Sequence, residues 1–302
     1  YEQIYRLVTN VKGPGVEFHT ASAAREMGPM LSEDFPEILS FVRLQGMGRV
    51  LVAVPGSGEE SMYNEEDWGR ADSTIFNVFT HTILAGNPVT ALKERNSIVL
   101  TESLARNYFG EEEALGKALL LYESKENFTV TGVIEDLPDN SHVKFDALVS
   151  FIEPREWAMQ DGEFNSEAIW NPDVFTYLMF PKGYSTANFF DKLPPFHEKY
   201  IKPFGDQVSS ELWFYLEPLA DVHFHSEQGG DQPQGNFAYV YAFGGIGLFI
   251  LLLACINYMN LATARSGNRM KEIGMRKVLG SSRQALVLSF LGESVLLSII
   301  AL

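Results

Sequence analysis

The sequence predicts an α+β extracytoplasmic domain, made of two strand–helix–strand halves with an inserted β-rich subdomain, followed by transmembrane α-helices. Three observations predict it. Strand and helix signals alternate through an acidic first 236 residues, residues 237–264 are 28 consecutive uncharged positions, and a basic cluster comes directly after them.

The first half, 1–45, opens on Ile4-Tyr-Arg-Leu-Val-Thr9, a strand pattern. Residues 20–31 then place Ala23, Ala24, Met27, Met30 and Leu31 at helical spacing after a Thr20 cap, with Pro29 weakening the last turn. Glu37-Ile-Leu-Ser-Phe-Val-Arg-Leu44 reads as the returning strand. Residues 46–150 form the inserted stretch, punctuated by Pro55-Gly-Ser-Gly58, Gly86-Asn-Pro88 and Leu137-Pro-Asp-Asn-Ser141. Its strands include Ser97–Leu100, Ala118–Tyr122 and Phe128–Ile134, and its short helix has Thr101 as cap, Leu104, Ala105 and Tyr108 on one face, and Gly110 as terminator. The second half, 151–236, carries a strand at Val174–Phe180 and helical spacing of Phe189, Leu193, Phe196 and Tyr200. Pro194-Pro195 must kink or break that helix, and Leu212–Leu216 is the returning strand.

Phe237 to Ala264 exceeds the roughly 20 helical residues that a bilayer core needs. Tyr239 and Tyr241 suit an interfacial belt, and Gly244, Gly245 and Gly247 suit close helix packing. Residues 265–283 then hold six basic residues (Arg265, Arg269, Lys271, Arg276, Lys277, Arg283) against Glu272, which marks a short cytoplasmic loop. Residues 284–302 begin the next membrane helix, interrupted only by Glu293. Asn257, Asn260 and Glu293 are the intramembrane polar residues, and Glu293 is expected to face a protein partner or the headgroup region rather than lipid. Both chain ends read as cut from a longer polypeptide.

Residues 1–236 hold 17 of the 23 basic and 37 of the 39 acidic residues. So anionic a surface argues against a nucleic-acid partner. A lone Cys255 excludes an intrachain disulfide framework and any Cys-based zinc site. Gly110-Glu-Glu-Glu-Ala-Leu-Gly116-Lys-Ala118 imitates a P-loop but has five residues between the glycines, Ala118 in place of Ser/Thr, and three glutamates where phosphate would sit. His223 and His225 would share a strand face as half of a metal site, with Asp221 and Glu227 as further candidates, though a solvated strand end explains them as well. No serine lies in a nucleophile elbow. No catalytic residue, metal or cofactor is assigned.

The strongest motifs lie after the first apolar segment: Ile256-Asn-Tyr-Met-Asn-Leu-Ala-Thr-Ala-Arg-Ser266, Arg269-Met-Lys-Glu-Ile-Gly-Met-Arg-Lys-Val-Leu-Gly-Ser281 and Phe290-Leu-Gly-Glu-Ser294. They resemble the permease domain of MacB/FtsX-type ABC transporters. Its Glu-Ile-Gly-x-Arg-Lys-x-x-Gly pattern is met by Glu272, Ile273, Gly274, Arg276, Lys277 and Gly280. Asn96–Ala105, Tyr108–Gly110, Ala114–Lys117 and Phe128–Val133 likewise resemble the MacB-like periplasmic core domain.

The resemblance implies a multi-pass protein of the bacterial inner membrane with residues 1–236 in the periplasm. It implies a permease subunit, not an enzyme, that works with a separate cytoplasmic ABC ATPase and a second permease copy or homologue. A periplasmic partner and membrane lipid complete the expected partners. In such proteins ATP hydrolysis drives periplasmic work by mechanotransmission: export or release of peptide, drug or lipoprotein. Arg269, Lys271, Glu272, Ile273, Gly274, Arg276, Lys277 and Gly280 would then form the ATPase-coupling loop. The competing reading is a membrane-anchored extracytoplasmic sensor or ligand-binding domain. The return of apolar sequence after about 20 residues disfavours it.

Overall fold

A computed structural model describes residues 2–55, 62–122, 124–138, 141–152, 158–160, 163–225, 228–229 and 237–301. The chain divides into two units, 1–235 and 236–302.

The described elements of the first unit run β1 (Ile4–Gly13), β2 (Val16–Thr20), β3 (Ala23–Ala24), α1 (Met27–Asp34), β4 (Ser40–Ala53), β5 (Met62–Ala71), α2 (Ile75–Val78), β6 (Ile83–Gly86), β7 (Ser97–Thr101) and α3 (Glu102–Phe109). After these come β8 (Ala118–Leu121), β9 (Glu126–Ile134), β10 (Ala147–Ser150), β11 (Met159–Gln160), β12 (Glu163–Phe164), α4 (Ser166–Trp170) and β13 (Pro172–Met179). The unit closes with α5 (Thr186–Phe196), a π-helical turn (His197–Ile201), α6 (Lys202–Val208), β14 (Glu211–Pro218) and α7 (Leu219–His225). The second unit holds α8 (Phe237–Val278) and α9 (Arg283–Ala301).

One sheet carries the first unit, ordered β14-β1-β13-β4-β5-β10-β7-β9-β6, with β2 on β1, β3 on β13, and β8 bridging β4 and β9. Strands from the two ends of the sequence interleave: β13 lies between β1 and β4 and pairs antiparallel with both. The middle stretch adds its strands to the same sheet. β4 runs unbroken from Ser40 to Ala53, so residue 45 lies inside a shared strand and not in a linker. A bulge at Gly48, at φ +66°, shifts the β4–β5 register. Left-handed backbone at that point favours glycine.

Alternating burial follows from the two-residue period of a strand. Leu7, Leu178 and Phe214 pack with Met27, Leu31 and Phe189 of the helices. A second cluster, around Trp68, Ile98, Leu104 and Tyr108, serves the middle stretch. A third joins Val42 and Tyr177 to Val99 and Leu148, continuous across both. α1 sits close on the sheet because Gly28 lacks a side chain. A Cβ there would lie 2.9 Å from Phe41 and 3.2 Å from Thr176. Buried charge is paired at Arg43. Its Nε and Nη2 donate to Asp72 Oδ2 and Oδ1 at 2.9 and 2.7 Å, and the guanidinium lies 4.4 Å from the Phe151 ring centroid.

Several local expectations shift. The first helix begins at Met27, nearly two turns later than a Thr20 cap would start it, and Thr20 ends β2 instead of capping it. Pro29 therefore occupies the first turn, where its missing N–H costs nothing. Pro194 and Pro195 do not end α5. Two N–H donors are lost, and the chain absorbs the defect in the π-helical turn before continuing as α6. His223 and His225 stand on α7, not on a strand. Two residues apart on a helix are about 200° apart, so the shared face needed for half a metal site is gone. Glu227 lies outside the described residues.

Candidate coupling segment

α8 is 42 residues long, about 63 Å at helical rise. Its apolar part, Ala238–Leu261, has a mean hydropathy of 2.3 and no residue buried within the chain. An exposed apolar run of 24 residues has the length to cross a bilayer and the wrong environment for a soluble core helix. No proline falls between residues 262 and 278, and the helix continues through the basic cluster to Val278. The expected loop from Arg265 is thus helical for its first 14 residues, extending roughly 25 Å beyond the apolar span.

Helical spacing sorts the motif onto faces. Glu272 and Arg276 share one, reinforced by an ion pair from Arg276 Nη2 to Glu272 Oε1 at 2.6 Å. Lys271, Met275 and Val278 share another, and Ile273 and Lys277 a third. Lys271, Gly274, Arg276 and Lys277 are exposed, while Glu272 and Ile273 are half-buried.

The helix ends by a two-bond cap around Gly280. The Gly280 amide donates to Lys277 O at 3.0 Å and the Ser281 amide to Arg276 O at 3.0 Å. This Schellman arrangement needs a left-handed residue, and Gly280 has φ +92°. The next helix is capped in turn: Ser282 Oγ accepts from the Ala285 amide at 3.2 Å. Four residues, 279–282, therefore join α8 to α9 with the orphan groups at the turn tied down. Ser281 and Ser282 were not among the residues that the sequence singled out for this site. Their signal was present as Gly followed by Ser-Ser-Arg.

Asn257 and Asn260, three residues apart on α8, share a face and are exposed, as is Glu293 on α9. In the first unit, the P-loop-like stretch uses its amides internally. Gly110 donates to Arg106 O, Glu112 to Phe109 O, Gly116 to Val130 O and Lys117 to Ala114 O. The Lys117 ammonium pairs with Glu112 and lies 4.8 Å from the Phe109 ring centroid. Those donors face protein oxygens, not a phosphate.

Residues 7–193 match the family described as MacB-like periplasmic core domain, and residues 244–302 match the FtsX-like permease C-terminal family. The first unit resembles the crystal structure of a domain of a protein from Porphyromonas gingivalis described as a permease. That similarity has a TM-score of 0.61 at 21% identity and covers 78% of this chain and 93% of that one. The periplasmic region of MacB from Actinobacillus actinomycetemcomitans matches with a TM-score of 0.43 at 12% identity, over 69% of this chain and 87% of that one. The extracellular domain of the noncanonic ABC-type transporter YknZ from Gram-positive bacteria matches with a TM-score of 0.39 at 10% identity, over 69% and 99%. No curated protein matches the chain.

Proposed function

Because the chain belongs to the family of MacB-like periplasmic core domain and FtsX-like permease proteins, we propose that it transmits force from a cytoplasmic ATPase subunit to its periplasmic domain. It is an ABC transporter permease of the membrane. On the finer reading, the basic end of α8 docks on a separate ATPase chain inside the cell, and the acidic unit works in the periplasm.

The observation that supports this reading is the continuity of α8. A displacement applied to Arg276 or Lys277 is carried through an unbroken helix into the apolar span. A flexible loop would dissipate it. The capped turn at 279–282 passes the same displacement to α9. The orientation follows from the basic cluster, since cations flanking a membrane segment remain cytoplasmic. The matched asparagine face of Asn257 and Asn260 suits a contact with a membrane helix of a second permease copy or a homologue, where amides bond across the interface. Contact with membrane lipid, further membrane passes, a periplasmic partner and a cargo of peptide, drug or lipoprotein complete the proposal.

The test is Arg276→Glu with Lys277→Glu in the complex purified with its ATPase. ATP hydrolysis continues while the periplasmic output is lost, and Arg276→Lys with Lys277→Arg restores it. Full output from the charge-reversed complex would refute the coupling role.

A further inference from the structure

Two glycines face each other inside the β4–β5 pair: Gly46 lies directly opposite Gly69. Glycine in a strand interior costs stability relative to alanine, so each position calls for a cause. Gly69 has one within the fold, because a Cβ there would lie 3.3 Å from Gln45 O and from Leu148 Cδ2. Gly48 supplies the left-handed residue of the bulge. Gly46 has neither. Its φ lies outside the left-handed region, it is exposed, and a Cβ there would meet no described atom within 4 Å. The packing does not require glycine at 46, whereas a groove kept open for an approaching ligand does.

That groove, about 290 Å³, runs over the bare backbone of the glycine pair. Strand alternation puts Leu44 beside Gly46 on this face, with Phe175 opposite Leu44 on β13 and Leu148 opposite Gly69 on β10. The lining segments, within 44–48, 66–70, 143–148 and 175–177, all belong to the described residues. A space of this size suits a single amino acid and not a drug-sized compound.

Most of the polar rim is engaged. Glu66 pairs with Arg49, Gln45 Nε2 donates to Asp173 Oδ2 at 3.0 Å, and Arg70 also has a partner. Lys144 and Asp67 differ: both are exposed, and among the described residues neither charged group is in an ion pair. Both line the groove without pairing with each other, which leaves separate places for an anion and a cation. Asp67 also stands near Asp146, whose carboxyl is held above its ordinary 3.8 by burial first, then by the charges of Asp67, Glu65 and Asp136. The field there is negative and favours an incoming ammonium.

We propose that this groove binds an α-amino acid with an apolar side chain. The side chain lies on the Gly46–Gly69 floor, the ammonium meets Asp67, and the carboxylate meets Lys144. The site goes beyond force transmission and stands on the first unit alone, so it holds or fails independently of the coupling role of α8.

The probe is 4-fluoro-L-phenylalanine, followed by 19F line broadening with the full chain in lipid nanodiscs and with empty nanodiscs as the baseline. The broadening saturates and is displaced by L-phenylalanine. Gly46→Val, whose side chain enters the open groove, abolishes it without lowering the thermal unfolding midpoint. Lys144→Ala weakens the amino acid about three- to fivefold and leaves 4-fluorophenethylamine, which has no carboxylate, unaffected. Asp67→Asn weakens both probes by a similar factor. Broadening that never saturates, full binding by Gly46→Val, or an equal effect of Lys144→Ala on the two probes would overturn the proposal.

Discussion

Ser281 donates its amide hydrogen to the carbonyl of Arg276 at 3.0 Å, so a residue at the centre of the basic motif also anchors the turn that leaves it. The side chain of Arg276 is paired with Glu272, its carbonyl with Ser281. The proposed coupling role and the turn geometry thereby meet in one residue.

Gly280 makes that turn possible without strain, at φ +92°. Gly280→Ala strains the left-handed position by about 1–2 kcal/mol, and Gly280→Val strains it further. Hydrogen exchange at the Ser281 amide in the reconstituted protein rises about tenfold for the Ala variant. Unchanged protection would show that the cap does not hold the turn.

Arg6 is fully buried, and its Nη2 meets Glu217 Oε2 at 2.6 Å across the β1–β14 pair. Glu217→Leu takes a paired carboxylate away from a buried cation and costs about 3 kcal/mol. Arg6→Met with Glu217→Leu recovers most of that loss, because the desolvation penalties leave together. Thermal unfolding of the native protein, Arg6→Met, Glu217→Leu and their double variant measures the coupling.

Asp136 braces the start of α3 from outside the helix. It accepts from the Ser103 amide at 2.9 Å and the Ser103 hydroxyl at 2.5 Å. The bond from the Ser103 side chain, then that from its backbone, holds this carboxyl below its ordinary 3.8, with the Arg106 charge adding to the effect. A depressed folded pKa means that the contribution is complete above pH 3.8 and fades as pH falls through the lower folded value. Asp136→Asn therefore flattens the acid limb of the stability profile below pH 3.8. An identical limb in the variant would contradict the assignment.

The helix that Asp136 braces was legible almost residue by residue. Thr101 Oγ1 accepts from the Leu104 amide, Leu104, Ala105 and Tyr108 are buried, and Gly110 closes the helix at φ +64°. Caps and terminators act locally, and local chemistry survives in a linear reading. β5 was not legible: its Asn-Glu-Glu-Asp run lacks apolar alternation, and it is a strand because β4 and β10 flank it. The same tertiary dependence explains α7, where apolar alternation around His223 imitated a strand. In the second unit the apolar span and the basic motif were plain. The helicity of residues 265–278 was not, since charge density marks a loop and a solvated helix alike.

The most direct measurement is the side of the membrane on which Lys271 lies. In a Cys255→Ser background, which removes the only cysteine, Lys271→Cys and Lys93→Cys are treated with a membrane-impermeant maleimide. Lys271→Cys is labelled in inverted vesicles and protected in spheroplasts, and Lys93→Cys shows the reverse. Labelling of Lys271→Cys in intact spheroplasts would place the basic end of α8 outside the cell and contradict the coupling account.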